Sequence, residues 1–249
     1  MAPPPEPSKP ARTDRALGGF LSLGIALYSA FDWKGSEQEI KRALELNPKL
    51  AFAYDQLAYL QWLSGRFDEV ILNTQRAIEL DPLSLMFNSN LGWRLKAVGR
   101  ADEALAQLRK TLELDPNFAT AHMELGWWFV YQGDMASAIT AFQKAKALDP
   151  QAWSDGPLAY AYARAGDRAK AGQMLRDWED QAKQRYISPG LRVLLHLGLG
   201  EKHKALDWLE KCYEDQDVLC WLLKVWQIYD PLRTEPRFQA LLKKVGLAP

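Results

Sequence analysis

A proline stands at positions 48, 82, 116 and 150, each closing a near-identical pentapeptide: LELNP, IELDP, LELDP and KALDP. The interval is 34 residues every time. A second series, GRFDEV, GRADEA, GDMASA, GDRAKA and GEKHKA, begins at Gly65, Gly99, Gly133, Gly166 and Gly200, with spacings of 34, 34, 33 and 34. Self-similarity at this period points to a stack of helix-turn-helix units, each burying its apolar face only against its neighbours. The local chemistry agrees. Each turn glycine can take the left-handed conformation that closes a first helix, and each Asn-Pro or Asp-Pro stops a second one, because proline disfavours helix in the residue before it.

The repeats resemble the tetratricopeptide repeat family, whose pattern is W-x2-L-G-x2-Y, then A-x3-F, then A and P. The fullest match is His122, Leu125, Gly126, Phe129, Ala138, Phe142, Ala145 and Pro150. Asn88, Leu91, Gly92, Leu95, Ala104, Leu108, Thr111 and Pro116 form another. Tyr54, Leu57, Ala58, Gln61, Val70, Thr74, Ala77 and Pro82 form a looser one. Small residues at Gly92, Gly126, Ala104 and Ala138 let two antiparallel helices approach closely, while larger neighbours fill the gaps beside them.

Extended backward, the register puts Phe20, Leu23, Gly24 and Leu27 in a first helix, with its partner running through SEQEIKRALELNP. Extended forward, it gives a fifth unit, LAYAYARAGDRAKAGQMLRDWEDQA, and a sixth, SPGLRVLLHLGLGEKHKALDWLEKCYE. The expected architecture is all-α: a right-handed superhelical solenoid of about six antiparallel helix pairs over residues 16–216. Residues 1–15, MAPPPEPSKPARTDR, read as an unpacked proline-rich tail. Residues 217–249 leave the period and read as a C-terminal helical cap. RYISPGLRVLLHLGLGEKHKALDWLEKCYE and YDPLRTEPRFQALLKKVGL are similar to the C-terminal end of tetratricopeptide regions in bacterial multidomain regulators. There the repeats follow a winged-helix domain, a nucleotide cyclase or a serine/threonine kinase.

Residues 16–31, ALGGFLSLGIALYSAF, form an uncharged run behind three basic residues, the layout of a signal peptide. The run falls short of the roughly 20 residues a membrane span needs. Its place in the repeat register explains it as a first helix, so the expected location is cytoplasmic; export is the alternative if the run acts as a signal segment. Thirty-one basic residues balance 31 acidic ones, leaving no global field for nucleic acid or an anionic membrane. Cys212 and Cys220 are too few for a disulfide framework and point to a reducing compartment. With His122, His196 and His203 scattered, no zinc-site spacing arises. Walker A, H-E-x-x-H, G-x-S-x-G and C-x-x-C patterns are absent. No catalytic residue, metal or cofactor is expected.

In tetratricopeptide proteins the first helix of each pair lines a concave surface, and the resemblance implies such a groove here. Repeat position 9 falls on Tyr59, Trp93, Trp127 and Tyr160, an aromatic ladder at spacings of 34, 34 and 33. Neighbouring groove positions bring Phe52, Asp55 and Trp62 from the second unit, Ser89 and Lys96 from the third, and Met123, Val130 and Tyr131 from the fourth. Trp127 and Trp128 point about 100° apart on a helix. Trp127 is therefore expected in the groove and Trp128 against the adjacent repeat.

An exposed apolar stripe of this kind marks an interaction site; stacking of the rings on one another along the inner wall is the alternative. The expected function is a non-catalytic scaffold that binds a protein or peptide segment in the groove, with Lys96 and Asp55 as polar selectors. A small apolar ligand is the alternative, favoured by a closed pocket over an open trough, as is a detached regulatory half of a signalling protein. The carboxylate-clamp lysines and asparagines of chaperone-binding relatives are not reproduced, which argues against an EEVD-type ligand.

Overall fold

The computed structural model describes residues 9–150 and 154–247, with side chains described from residue 18. Among the described residues all regular structure is helical. Six antiparallel pairs follow one another: α1 (Lys9–Ser29) with α2 (Trp33–Leu46), α3 (Ala51–Ser64) with α4 (Phe67–Leu80), α5 (Leu85–Ala97) with α6 (Ala101–Leu114), α7 (Ala119–Gln132) with α8 (Met135–Leu148), α9 (Asp155–Arg164) with α10 (Arg168–Ala182), and α11 (Pro189–Gly198) with α12 (Lys202–Glu214). Two 3-10 turns, Val218–Leu222 and Gln227–Leu232, lead to α13 (Pro236–Lys244).

The periodic residues act as the sequence requires. Gly65, Gly99, Gly133, Gly166 and Gly200 all have φ between +75° and +83°, which ends each first helix in the left-handed region. Asn47, Asp81, Asp115 and Asp149 leave the helical region at the close of each second helix, with φ near −140°, ahead of their prolines.

Gly92 and Gly126 are buried where first and second helices touch. A Cβ on Gly92 would stand 2.6 Å from Leu108 Cδ2, and one on Gly126 would run into the Phe142 ring. Gly24 meets Ile40 of α2 in the same way, which makes α1 and α2 a pair like the others. Gly92→Ala should therefore destabilise the protein by about 1–3 kcal/mol through overpacking. That sign is opposite to the gain of about 1 kcal/mol that Gly→Ala brings in an open helix. Urea unfolding of the variant measures it, and a stabilised variant would show that the helices can move apart.

Two expectations need correction. Residues 1–8 of the proposed tail lie outside the described residues, but residues 9–15 form the first turns of α1. Ala11, Arg12 and Arg15 are good helix formers that extend a helix already nucleated by packing on α2. Pro10 sits in the first turn, where its missing N–H has no partner to lose.

The C-terminal segment, read from the sequence as a helical cap, goes further. α13 packs on α12, whereas residues 218–227 cross the concave face back towards the first pairs. At the far end the Trp33 Nε1–H donates to the Val245 carbonyl at 2.7 Å, and Phe31 stacks on Tyr213 with ring centroids 5.8 Å apart. The first and last units thus meet. A groove walled by aromatic side chains is costly to leave in water, and VLCWLLKVW supplies the apolar surface to fill it.

Candidate binding cavity

The aromatic ladder lies on the concave side and forms two clusters, not one continuous row. Trp62 and Trp93 meet edge to face at 4.5 Å, and Tyr59 lies 6.0 Å from Trp62 and 6.4 Å from Trp93. Tyr28 of α1 extends this cluster, 6.0 Å from Tyr59. Trp127 belongs to the other cluster, with Phe142 at 5.3 Å and Tyr160 at 5.8 Å. Among the described residues no ring contact joins Trp93 to Trp127.

The C-terminal strap bridges that interval. Trp221 sits edge to face on Tyr28 at 5.0 Å, and Trp226 does the same on Trp127 at 5.0 Å. The strap is internally braced. Tyr229 Oη donates to the Leu219 carbonyl at 3.2 Å, and the Arg233 guanidinium reaches the carbonyls of Leu223, Lys224 and Trp226. Asp217 caps its first turn by accepting from the Leu219 N–H at 2.9 Å.

Between groove and strap remains a cavity of about 440 Å³. Asp55, Tyr59, Trp62, Trp93, Lys96, Met123, Trp127 and Tyr131 line it, from the set singled out in the sequence. Val130 and Tyr160 instead line a smaller depression beside Ile228 and Pro231. Ser89 is fully buried, and half-buried Phe52 borders neither space.

The sequence reading missed Tyr28, Gln56, Asn90, Arg94, Glu124 and the strap. Gln56, Asn90 and Glu124 lie 34 residues apart, so the period could have found them. Nothing periodic marks the strap.

Asp55 cannot select a ligand as expected. It is 2% exposed, and its Oδ1 accepts from Arg94 Nη1 at 2.6 Å and from Asn90 Nδ2 at 2.9 Å. Trp127, expected open to the groove, is 6% exposed because Trp226 covers it. Trp128 turns the other way. Its Nε1–H donates to the Ala101 carbonyl at 3.0 Å, and its ring packs on the Leu91, Leu95 and Ala104 cluster of the preceding pair.

Lys96 and Glu124 remain chemically unspent. The Lys96 ammonium lies 3.7 Å from the centre of the Tyr131 ring. Burial pulls Lys96 down to about 8, against the attraction of Glu124. Burial pushes the Glu124 carboxyl up to about 7, against the attraction of Lys96.

A carboxyl raised in the fold withdraws stability as it ionises. Glu124 therefore weakens the protein progressively as pH rises from its ordinary 4.5 through about 7. Glu124→Gln lacks this titration, so its melting temperature should gain on the wild type between pH 5 and pH 8. Parallel melting curves across that range would refute the buried-carboxyl account.

Residues 89–152 match a family model described as tetratricopeptide repeat, and residues 152–177 match a second of the same description. The matched repeats thus span residues 89–177 of the chain. No curated protein is significantly similar to it in sequence. Solved structures share the fold. A thermophilic TPR protein of Thermus thermophilus superposes with a TM-score of 0.63 at 23% identity, over 74% of this chain and 98% of that one. The APC/C hetero-tetramer Cut9–Hcn1 gives 0.63 at 18% identity, over 92% of this chain and 42% of that one. Pseudomonas aeruginosa pilF gives 0.56 at 17% identity, over 90% and 99%. Among the described residues no helix is long and apolar enough to cross a membrane, and no group of His, Cys, Asp and Glu could hold a metal.

Proposed function

We propose that the protein is a non-catalytic interaction scaffold whose concave groove receives an apolar, aromatic-bearing protein segment. One observation carries this reading: the chain's own residues 218–227 lie in the groove in that manner, with Trp221 on Tyr28 and Trp226 on Trp127. The tetratricopeptide fold supports it, since one fold neighbour, Cut9–Hcn1, is a hetero-tetramer. A tethered occupant competes at an effective concentration on the order of millimolar. A partner segment therefore has to outbind the strap or find it displaced.

The test uses a labelled peptide of residues 216–232. It should bind the full-length Trp221→Ala/Trp226→Ala variant, whose strap holds the groove poorly, and should bind the wild type far less. A peptide that binds neither protein, or both equally, would refute the reading.

The cavity left with the strap in place favours a second reading, in which the chain takes a compact ligand without opening. Its volume falls within the roughly 300–1,000 Å³ of small-molecule sites. For setting, we propose the cytoplasm: residues 18–29 are built into the first repeat pair, where Gly24 packs on Ile40. Intact-mass measurement after bacterial expression should find those residues retained, and their removal with export would overturn it.

A further inference from the structure

We infer that the cavity between the groove and the C-terminal strap is a site for a free α-amino acid with an apolar or aromatic side chain. Glu124 would take its ammonium and Lys96 its carboxylate. This rests on the second reading above, a compact ligand bound with the strap in place.

The charges around the cavity sort into two groups. Asp55 and Arg94 neutralise each other: Arg94 Nη1 lies 2.6 Å from Asp55 Oδ1 and also donates to Thr74 Oγ1 at 2.8 Å. Glu124 and Lys96 attract each other but close no ion pair, and neither makes a hydrogen bond among the described residues. Both also break the repeat. Glu124 stands where the two preceding units carry the neutral amides Gln56 and Asn90, and Lys96 stands where the flanking units carry Trp62 and Val130. The fold accepts uncharged residues at both places, so packing alone does not require this pair.

Opposite unpaired charges in one apolar chamber select by elimination. A lone organic cation would meet the Lys96 ammonium, and a lone anion would meet the Glu124 carboxylate. A hydrocarbon would displace water from both charges and offer neither a hydrogen bond, the most costly outcome of the three. A molecule bearing ammonium and carboxylate on one carbon satisfies both, and the walls of Trp62, Trp93, Trp127 and Trp226 then receive its side chain.

Titration calorimetry on the full chain tests this with four probes: L-phenylalanine, phenethylamine, 3-phenylpropionate and toluene. L-phenylalanine should bind about ten-fold or more tighter than either single-charge analogue, the loss expected when a charged group forfeits its hydrogen bond. Glu124→Gln should weaken L-phenylalanine by a similar factor and leave 3-phenylpropionate undiminished. Lys96→Met should weaken L-phenylalanine and leave phenethylamine undiminished. The wild-type probe series needs no variant to fold. Toluene binding as well as L-phenylalanine would overturn the amino-acid assignment and leave the cavity reading standing. Binding of none of the four would overturn both.

Discussion

Trp127→Ala is expected to cost about 3–5 kcal/mol of unfolding free energy, as removal of a buried tryptophan does when its cavity cannot collapse. Its ring touches Phe142 of the partner helix, Tyr160 of the next unit and Trp226 of the strap, and it is 6% exposed. Trp128→Ala should cost less. That side chain is only half-buried, and its loss frees one hydrogen bond to a carbonyl. Urea denaturation of both variants gives the order. A Trp127→Ala protein as stable as the wild type would mean that the strap does not cover the groove in solution. Combining Trp127→Ala with Trp226→Ala isolates the strap's share, because two residues in contact lose less together than the sum of their single losses.

How far the sequence could be read follows from what is periodic. The turn glycines and the residues before proline repeat every 33 or 34 positions, and each fixes a backbone conformation by its own chemistry. Helix pairs and their close contacts were legible from them. The inward direction of Tyr59, Trp93 and Trp127 was implied by the family resemblance, once the register had placed them at one repeat position.

What fills the space they face did not, because the strap occurs once and contacts partners far away in sequence. Trp33 and Val245 are 212 positions apart, and neither belongs to a repeated pattern that would pair them. Arg94 was passed over for a related reason. It follows Trp93 directly, and a lone arginine on an amphipathic helix ordinarily reads as solvated. Its partner Asp55 lies 39 positions earlier, in the preceding pair.

That arginine carries the second large effect. Arg94→Met should cost about 3–5 kcal/mol, because removing one member of a buried pair leaves the other charge uncompensated. Arg94 and Asp55 side chains are 1% and 3% exposed, and the guanidinium also bonds the Asp55 carbonyl at 3.0 Å. Burial pulls the Arg94 pKa below its ordinary value, and Asp55 opposes that shift without cancelling it. In the variant, Asp55 keeps its hydrogen bond from Asn90 but loses its counter-charge. An apolar pair of similar shape, Asp55→Leu with Arg94→Met, removes the stranded charge and should recover most of the loss, since such replacements are often neutral or better. If the double variant is as unstable as Arg94→Met, then the arginine acts through its packing under Trp93, 5.1 Å from the ring centre, and its charge contributes little.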